Sequence, residues 1–497
     1  MMTRTIRHPA PHRSRRFAGV ALAVALAAFG PADSPAAAQN ATKGVVDQLN
    51  NEPAQRVSAA NTSYRTILDA YLDMTAPPVP ITADFDVTQI WPGMPDWKKF
   101  AEWAQANPGM AAALEKSRDA LSFGLPYGES AVDAKYRDAG LVARIGVDGD
   151  LRRVDYPYIK AIDTITAFAV AEFYRRNEAG QFKEAFELAS ATNRFLRTMC
   201  DRVMLAEKMR FFQLLSDVLS IQRDAMYTYR DKIPADVYRD FARKELPFLR
   251  PDRKRLEMPE GERIVSEALL AGVFDSRGQA DPELFAETFG ELQAADKPLT
   301  RFGAAKRWRR IAEVHGSLDA SEKKLKAVYD DWWRRWRMRE YDPMQDLPTE
   351  LSRTNPIRYG AVVYSIRDID VLFEMRKRLA AEVNGAAMTA GLLGYRVDYK
   401  TLPDDREKAY AVYMRKISDA DPWDRDYGRF LFRWLGSERK AVDTPDGRVW
   451  VDGAVVYARG RDHEDGDFNE STPDGSFGDM IVFPPLRALE REQGVGQ

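Results

Sequence analysis

Side chains that carry oxygen atoms are concentrated in one acidic segment near the end of this 497-residue chain. Five of them have the type and spacing to bind a metal ion: Asp462, Asp465, Asp467, Asn469 and Asp479. Calcium takes roughly six to eight oxygen ligands and tolerates irregular geometry, whereas magnesium needs a stricter octahedron. The segment therefore predicts a calcium site, and the alternative is a solvated acidic loop without a metal.

The elements on both sides of the acidic segment are predicted to be strands. The flanking residues are rich in Val, Tyr, Phe and Trp and are bounded by Gly, Asp and Pro. We expect four short strands, over residues 428–435, 448–452, 454–458 and 479–483. The segment is not an EF-hand, because Glu470 stands where that loop needs glycine and Ser476 stands where it needs a bidentate glutamate.

The first 38 residues have the features of a signal peptide. A basic stretch that ends at Arg16 precedes the apolar run Phe17–Phe29, and Ala36-Ala37-Ala38 supplies small residues for cleavage. We therefore expect an exported protein, periplasmic or extracellular, whose mature chain begins near Gln39. No later apolar run reaches the roughly 18 residues of a transmembrane helix, so we expect none in the mature chain.

The charge balance argues against nucleic acid as a partner. The full chain has 73 basic and 75 acidic residues, and residues 1–38 hold five arginines and one aspartate. The mature chain therefore has a formal charge of −6. Proteins that bind nucleic acid in bulk present an excess of basic residues instead.

Cysteine and histidine are too scarce for sites that depend on them. Cys200 is the only cysteine, so no intrachain disulfide can form, and its helical surroundings predict a buried, inert thiol. The mature chain keeps two histidines, His315 and His463. This count excludes a metal centre that needs three imidazoles. We expect His315 to be a packing or surface residue and His463 to be a bystander in the acidic segment.

Helical periodicity dominates the rest of the chain, so we predict a mainly α protein with an α+β C-terminus. A stack of helical hairpins is expected first, and then a long helix over 359–393 that packs on a small antiparallel sheet. We expect six segments along the chain: a signal peptide over 1–38, an N-terminal helix and Pro-rich linker over 39–95, a helical domain over 96–345, a linker over 346–358, a helix and β module over 359–487, and a flexible tail over 488–497.

One predicted helix combines tryptophan with arginine. Trp332 and Trp336 share a helix face, and Arg335 lies on a neighbouring face. These three residues could form a platform for a glycan or a protein partner. The alternative, which we favour, is an interhelical core in which arginine stems cover aromatic rings.

Three glutamates raise the question of hydrolysis. Glu260, Glu262 and Glu267 lie at the start of one helical stretch, and a carboxylate pair is what most glycosidases use. No motif singles out an acid and a base among them, so we assign no catalytic residue. Solvated glutamates on a helix face are the favoured interpretation.

The order of motifs near the C-terminus resembles a known module. Asp421-Pro422-Trp423, then Tyr457-Ala-Arg-Gly460-Arg-Asp462, then Gly478-Asp479-Met-Ile481 resemble the C-terminal half of the major pseudopilins of type II secretion systems. The resemblance covers residues 360–485, and it implies a helix on a small sheet with a calcium-binding loop. The chain departs from that pattern at Ala458, where serine is usual, and it lacks the Gly-Gly of the loop.

The whole chain also looks similar to exported bacterial helical proteins of no established activity that carry such a module. Since a shared fold does not carry function, the expectation from the sequence is limited. We expect an exported, non-enzymatic scaffold or binding protein with a structural calcium site. The alternative is a hydrolase of cell-envelope glycan that uses a carboxylate pair.

Overall fold

The computed structural model describes residues 35–249, 256–295, 301–339, 342–426 and 428–495. The predicted signal peptide lies outside the described residues, except for 35–38, which belong to the first helix. Most of the described chain is helical, and a three-stranded antiparallel sheet lies near the C-terminus. The predicted fold class, mainly α with an α+β C-terminus, is confirmed.

Seventeen α-helices occur among the described residues. The first nine are α1 Pro35–Asn50, α2 Tyr64–Leu72, α3 Trp97–Ala106, α4 Pro108–Lys116, α5 Ala134–Asp138, α6 Ile159–Glu178, α7 Phe182–Met199, α8 Leu205–Thr228 and α9 Ala235–Asp240. The others are α10 Gly261–Val273, α11 Pro282–Ala295, α12 Arg301–Val314, α13 Leu318–Arg337, α14 Gly360–Ser365, α15 Asp370–Tyr399, α16 Glu407–Tyr410 and α17 Leu486–Gln493. Within the described ranges, no helix is both long enough and apolar enough to cross a membrane.

The helical hairpins form where the sequence predicts them. α6 and α7 are joined at Gly180, whose φ of 73° is the left-handed conformation that glycine adopts at no steric cost. Ala185 is completely buried where the two helices cross. α8 then packs against α6 and α7 on one side and against α15 on the other.

The strands are β1 Arg144–Ile145, β2 Val154–Asp155, β3 Leu431–Thr444, β4 Gly447–Ala458 and β5 Met480–Phe483. β3, β4 and β5 form the C-terminal sheet in that order, and both pairs are antiparallel. β3 and β4 form a longer hairpin than predicted, because the turn at Pro445-Asp446 lets pairing continue up to Thr444 and Gly447. The two strands predicted over 448–458 are one strand, and Gly453 absorbs the irregularity with a φ of 67°.

The long helix predicted over 359–393 is wrong in its bounds, because two helices occupy this region. α14 ends at Ser365, and Ile366 is extended, with a φ of −113° and a ψ of 155°. The Asp368 carboxylate then accepts a hydrogen bond from the backbone N–H of Asp370 at 3.0 Å, a side-chain turn that starts α15. α15 continues past the predicted end as far as Tyr399.

α15 is the helix around which the C-terminal half is packed. Each of its residues from Leu379 to Gly394 is buried, as expected for a helix covered on all sides. Small residues permit this close packing. A Cβ atom on Gly385, for example, would lie 2.9 Å from the Val482 side chain of β5.

The flexible tail predicted from residue 488 is also wrong. α17 occupies Leu486–Gln493, and Leu486 and Leu489 are buried. They belong to a small second core with β-sheet side chains such as Val449 and Val451. The main core runs without a break from the N-terminal helices through α15 to β5, across the linker expected at 346–358.

Candidate functional site

The predicted metal ligands lie in the long connection between β4 and β5. This acidic loop, defined here as residues 459–479, folds back on the sheet. Glu470 forms a parallel bridge with Asp443 of β3, and Ser471 forms one with Asp479 at the end of the loop. The loop is therefore held at its middle as well as at its two ends.

Asp479 is the most unusual carboxylate of the loop, because it is buried and only one of its two oxygens accepts a hydrogen bond. Its side chain is about 1% exposed. One oxygen, Oδ2, accepts a hydrogen bond from the backbone N–H of Phe468 at 2.7 Å. The other, Oδ1, is buried and has no hydrogen-bond partner among the described residues. Such a group costs free energy unless a donor or a cation compensates it.

The surroundings of Asp479 make its charge still less favourable. Burial raises the pKa of the Asp479 carboxyl to about 6, and the negative charges of Asp465 and Asp462 add to the rise. These two carboxylates therefore lie close enough to Asp479 to act on it. The backbone N–H groups of Phe468 and Gly466 counteract part of this rise in pKa, and a Cβ atom on Gly466 would lie 3.1 Å from Asp479 Oδ2.

Asp462 and Asp465 are held in place by the loop itself. Asp465 Oδ1 accepts hydrogen bonds from the Tyr457 hydroxyl and from the backbone N–H of Asp467, each at 3.0 Å. Asp462 Oδ1 accepts one from the backbone N–H of Glu464, also at 3.0 Å.

Asp467 and Asn469 do not join this group. The Asp467 carboxylate lies 2.7 Å from Lys440 Nζ and 3.2 Å from Arg433 Nε, both on β3. The hydrogen bond from Lys440 is the main reason that the pKa of Asp467 is lowered. Asn469 donates from Nδ2 to the Gly466 carbonyl at 2.7 Å. The negative charges of Asp462 and Asp465 thus act on Asp479, whereas Asp467 is held in ion pairs with β3.

The carboxylates of Asp462, Asp465 and Asp479 do not form a compact coordination shell by themselves. In the part of the chain that the structure describes, no three His, Cys, Asp or Glu side chains are close enough to hold a metal ion on their own. A calcium ion at Asp479 would therefore need backbone carbonyls and water as further ligands, which its chemistry allows.

The Asp-Pro-Trp motif anchors the start of the loop. Asp421 is completely buried, and its carboxylate accepts hydrogen bonds from the backbone N–H groups of Trp423 at 2.9 Å and Arg459 at 3.0 Å. The ring of His463 contacts the same motif, because its Nδ1 lies 2.6 Å from the Trp423 carbonyl oxygen. A carbonyl only accepts, so Nδ1 donates there. His463 is thus a structural contact of the loop.

The platform considered for Trp332, Trp336 and Arg335 is wrong, and the packing alternative is confirmed. Trp332 is completely buried, and Trp336 and Arg335 are 3% and 6% exposed. The Arg335 guanidinium donates to the carbonyls of Met344, Gln345 and Pro348 at 3.0–3.1 Å. It therefore fastens the segment after α13 to that helix, and it is not available to a ligand.

Trp333, which was not selected from the sequence, does reach the surface. It is half-buried and lines a cleft of about 630 Å³ between α10 and α13. Its indole N–H donates to Glu260, and Arg263 and Glu267 lie on the same side of the cleft. Helical geometry could have predicted that Trp333 faces a different direction from Trp332, because adjacent residues on a helix point in directions about 100° apart.

Glu262 is separated from the other two candidate glutamates. Both of its carboxylate oxygens accept the backbone N–H of Leu205 at the start of α8, at 2.9 and 3.1 Å. Burial raises its pKa to about 7. It therefore caps α8, whereas Glu260 and Glu267 line the cleft.

A comparison of the chain with protein-family models, with curated proteins and with solved structures finds no match in any of the three.

Proposed function

We propose that the protein is an exported helical scaffold or binding protein whose C-terminal sheet is stabilised by a calcium ion at the acidic loop. The observation that supports this most is the buried Asp479 Oδ1, which has no hydrogen-bond partner among the described residues, in a carboxyl on which the negative charges of Asp462 and Asp465 act. Asp462, Asp465 and Asp479 would supply carboxylate oxygens, and the ion would supply the missing positive charge.

The ion would act on stability rather than on a reaction. Asp479 directly precedes β5, so an ion held there would fix the last strand and the acidic loop in the same place. Binding to the folded state alone adds about 2.7 kcal/mol to the free energy of unfolding when free calcium is about 100 times its Kd. The order of motifs that resembles the pseudopilin module supports the same role.

Thermal melts of the mature chain in calcium and in chelator test this proposal. We expect calcium to raise the melting temperature of the unchanged protein. Asp479→Asn should abolish that rise, since it removes the anionic ligand while it keeps the size of the side chain. Asp467→Asn is the matched control, because Asp467 belongs to the same loop but pairs with Lys440 and Arg433. An equal rise in the Asp479→Asn variant would refute the assignment.

The alternative function, a glycan hydrolase, has one observation in its favour. Glu260 and Glu267 line a cleft that is also lined by Trp333. However, Arg263 contacts both carboxylates. A glycosidase needs one carboxyl of the pair to donate a proton to the leaving group, and here Arg263 already occupies an oxygen of each carboxylate.

Release of reducing ends from cell-envelope glycan distinguishes the two functions. We expect no release above background, either by the unchanged protein or by Glu260→Gln. Release that disappears in Glu260→Gln or in Glu267→Gln would make the hydrolase the better assignment.

A further inference from the structure

The cleft between α10 and α13 is lined by both charged and aromatic side chains. On the α10 side, Arg263 lies between Glu260 and Glu267. On the α13 side lie the half-buried Trp333 and, one helical turn before it, the buried Tyr329. The volume of about 630 Å³ is within the range of small-molecule binding sites.

Trp333 is a fixed wall of this cleft. Its N–H donates to Glu260, which sets the orientation of the indole ring. The guanidinium of Arg337 lies 5.0 Å from the ring centroid, in a cation–π contact. The ring also borders a second hollow of about 460 Å³ beside Arg334 and Arg337. A tryptophan held in this way offers an aromatic surface at little cost in side-chain entropy.

The charges along the cleft largely compensate one another. Arg263 Nη1 lies 2.7 Å from Glu267 and also pairs with Glu260, and Lys326 Nζ lies 2.6 Å from Asp330. The cleft therefore presents closely spaced hydrogen-bond donors and acceptors with little net charge. This pattern suits a neutral ligand with many hydroxyl groups better than a strongly charged one.

We infer that the cleft binds an oligosaccharide. The apolar C–H face of a pyranose ring would stack on Trp333, and its hydroxyl groups would hydrogen-bond with Glu267 and Arg263. Glu260 and Glu267 are seven residues apart, which is about 10 Å along a helix, so a short chain fits the cleft better than a single ring. This inference rests on the proposed binding function and names its ligand class.

Binding to defined sugars tests the inference. The probes are hexamers of β-1,4-linked glucose and of β-1,4-linked N-acetylglucosamine, titrated into the mature chain in calcium by calorimetry and by tryptophan fluorescence. We expect saturable binding of at least one hexamer and at least a tenfold loss of affinity in Trp333→Ala. Trp333→Phe should keep most of the affinity, since it keeps an aromatic face.

Trp434→Ala is the matched control, because Trp434 is a tryptophan of β3 that is 44% exposed and does not line the cleft. It should bind as the unchanged protein does. If Trp333→Ala loses its cooperative melt, Glu267→Gln replaces it and should bind several-fold more weakly.

Two results would overturn the inference. The first is that neither hexamer binds. The second is that a folded Trp333→Ala variant, or Glu267→Gln, binds with the affinity of the unchanged protein. If a basic peptide bound through Glu267 while no sugar did, the cleft would belong to a protein partner instead. A calcium-dependent melt that persists without sugar binding would refute this inference and leave the calcium site intact.

Discussion

Asp479 is a buried carboxyl whose contribution to the stability of the fold depends on pH. Its pKa is raised to about 6, mainly by burial, so the folded protein favours the protonated carboxyl more than the unfolded chain does. Without calcium, this group contributes stability that is fully present below its unfolded pKa and is lost as the pH rises through about 6. The proposed calcium ion would reverse the sign of this pH dependence, because only the ionised carboxylate binds a metal.

The calcium-induced rise in melting temperature should therefore grow from pH 5 to pH 7.5. Protons compete with the metal at the lower pH, and they no longer do so above the raised pKa of Asp479. Melts at pH 5, 6 and 7.5, with and without chelator, measure this dependence. A rise of equal size at all three values would show that the metal binds groups other than Asp479.

The residue types alone predicted some of the roles of these side chains and missed others. The crowding of oxygen atoms in residues 462–479 pointed to the acidic loop, but it did not reveal that Asp467 pairs with Lys440 and Arg433 of β3. That pairing depends on how the loop folds across the sheet. Likewise, a run of three tryptophans within five residues marks a helix face as aromatic, yet only the packing of α13 decides that Trp333 faces the cleft.

At the scale of elements, β5 is tied to two helices through buried polar contacts. Arg223 of α8 contacts the Glu382 carboxylate of α15 at 2.8 Å and donates to the Val482 carbonyl of β5 at 3.0 Å. Thr389 of α15 donates to the same carbonyl at 3.0 Å. The strand that follows the acidic loop is therefore fastened to the helical core, so an ion at Asp479 would stabilise an interface as well as a loop.

Arg223→Met should be strongly destabilising. It leaves Glu382, which is completely buried, without its counter-ion, and removal of one partner of a buried pair costs about 3–5 kcal/mol. The free energy of urea unfolding measures the effect. Arg448→Met is the control, because Arg448 and Asp443 form an exposed pair on the hairpin. Equal unfolding midpoints for the two variants would contradict the role assigned to Arg223.

Apolar periodicity was sufficient to predict the main helices and where in the chain the C-terminal strands lie, but not the ends of these elements. The break between α14 and α15 depends on one side-chain turn at Asp368. The ordered α17 depends on a small core in which Leu486 and Leu489 contact the sheet. Both features are set by contacts that a local pattern does not contain.

At the scale of the whole molecule, one continuous apolar core joins the helical region to α15 and β5, and a smaller second core lies beside it. The C-terminal module contributes α15 to it, and that helix is buried at every position from Leu379 to Gly394. The resemblance to a pseudopilin module led us to expect a separate helix and β module over 359–487. Since α8 covers one side of α15, the module shares its core with the helical region before it.

A fragment that contains only residues 359–495 should therefore fail to fold cooperatively. It would expose the side of α15 that α8 covers, and it would leave Glu382 without Arg223. Circular dichroism during heating measures the outcome, with the mature chain as the control. A sigmoidal melt of the fragment that shifts in calcium would show that the module is an independent domain.

Calcium titration of the chelator-treated mature chain by calorimetry tests the central claim most directly. We predict binding of one ion, lost in the double variant Asp462→Ala, Asp465→Ala and retained in Asp467→Asn. Metal analysis of the same proteins after dialysis should agree. No binding at millimolar calcium, or equal binding by the double variant and the unchanged protein, would contradict the assignment of the acidic loop as a calcium site.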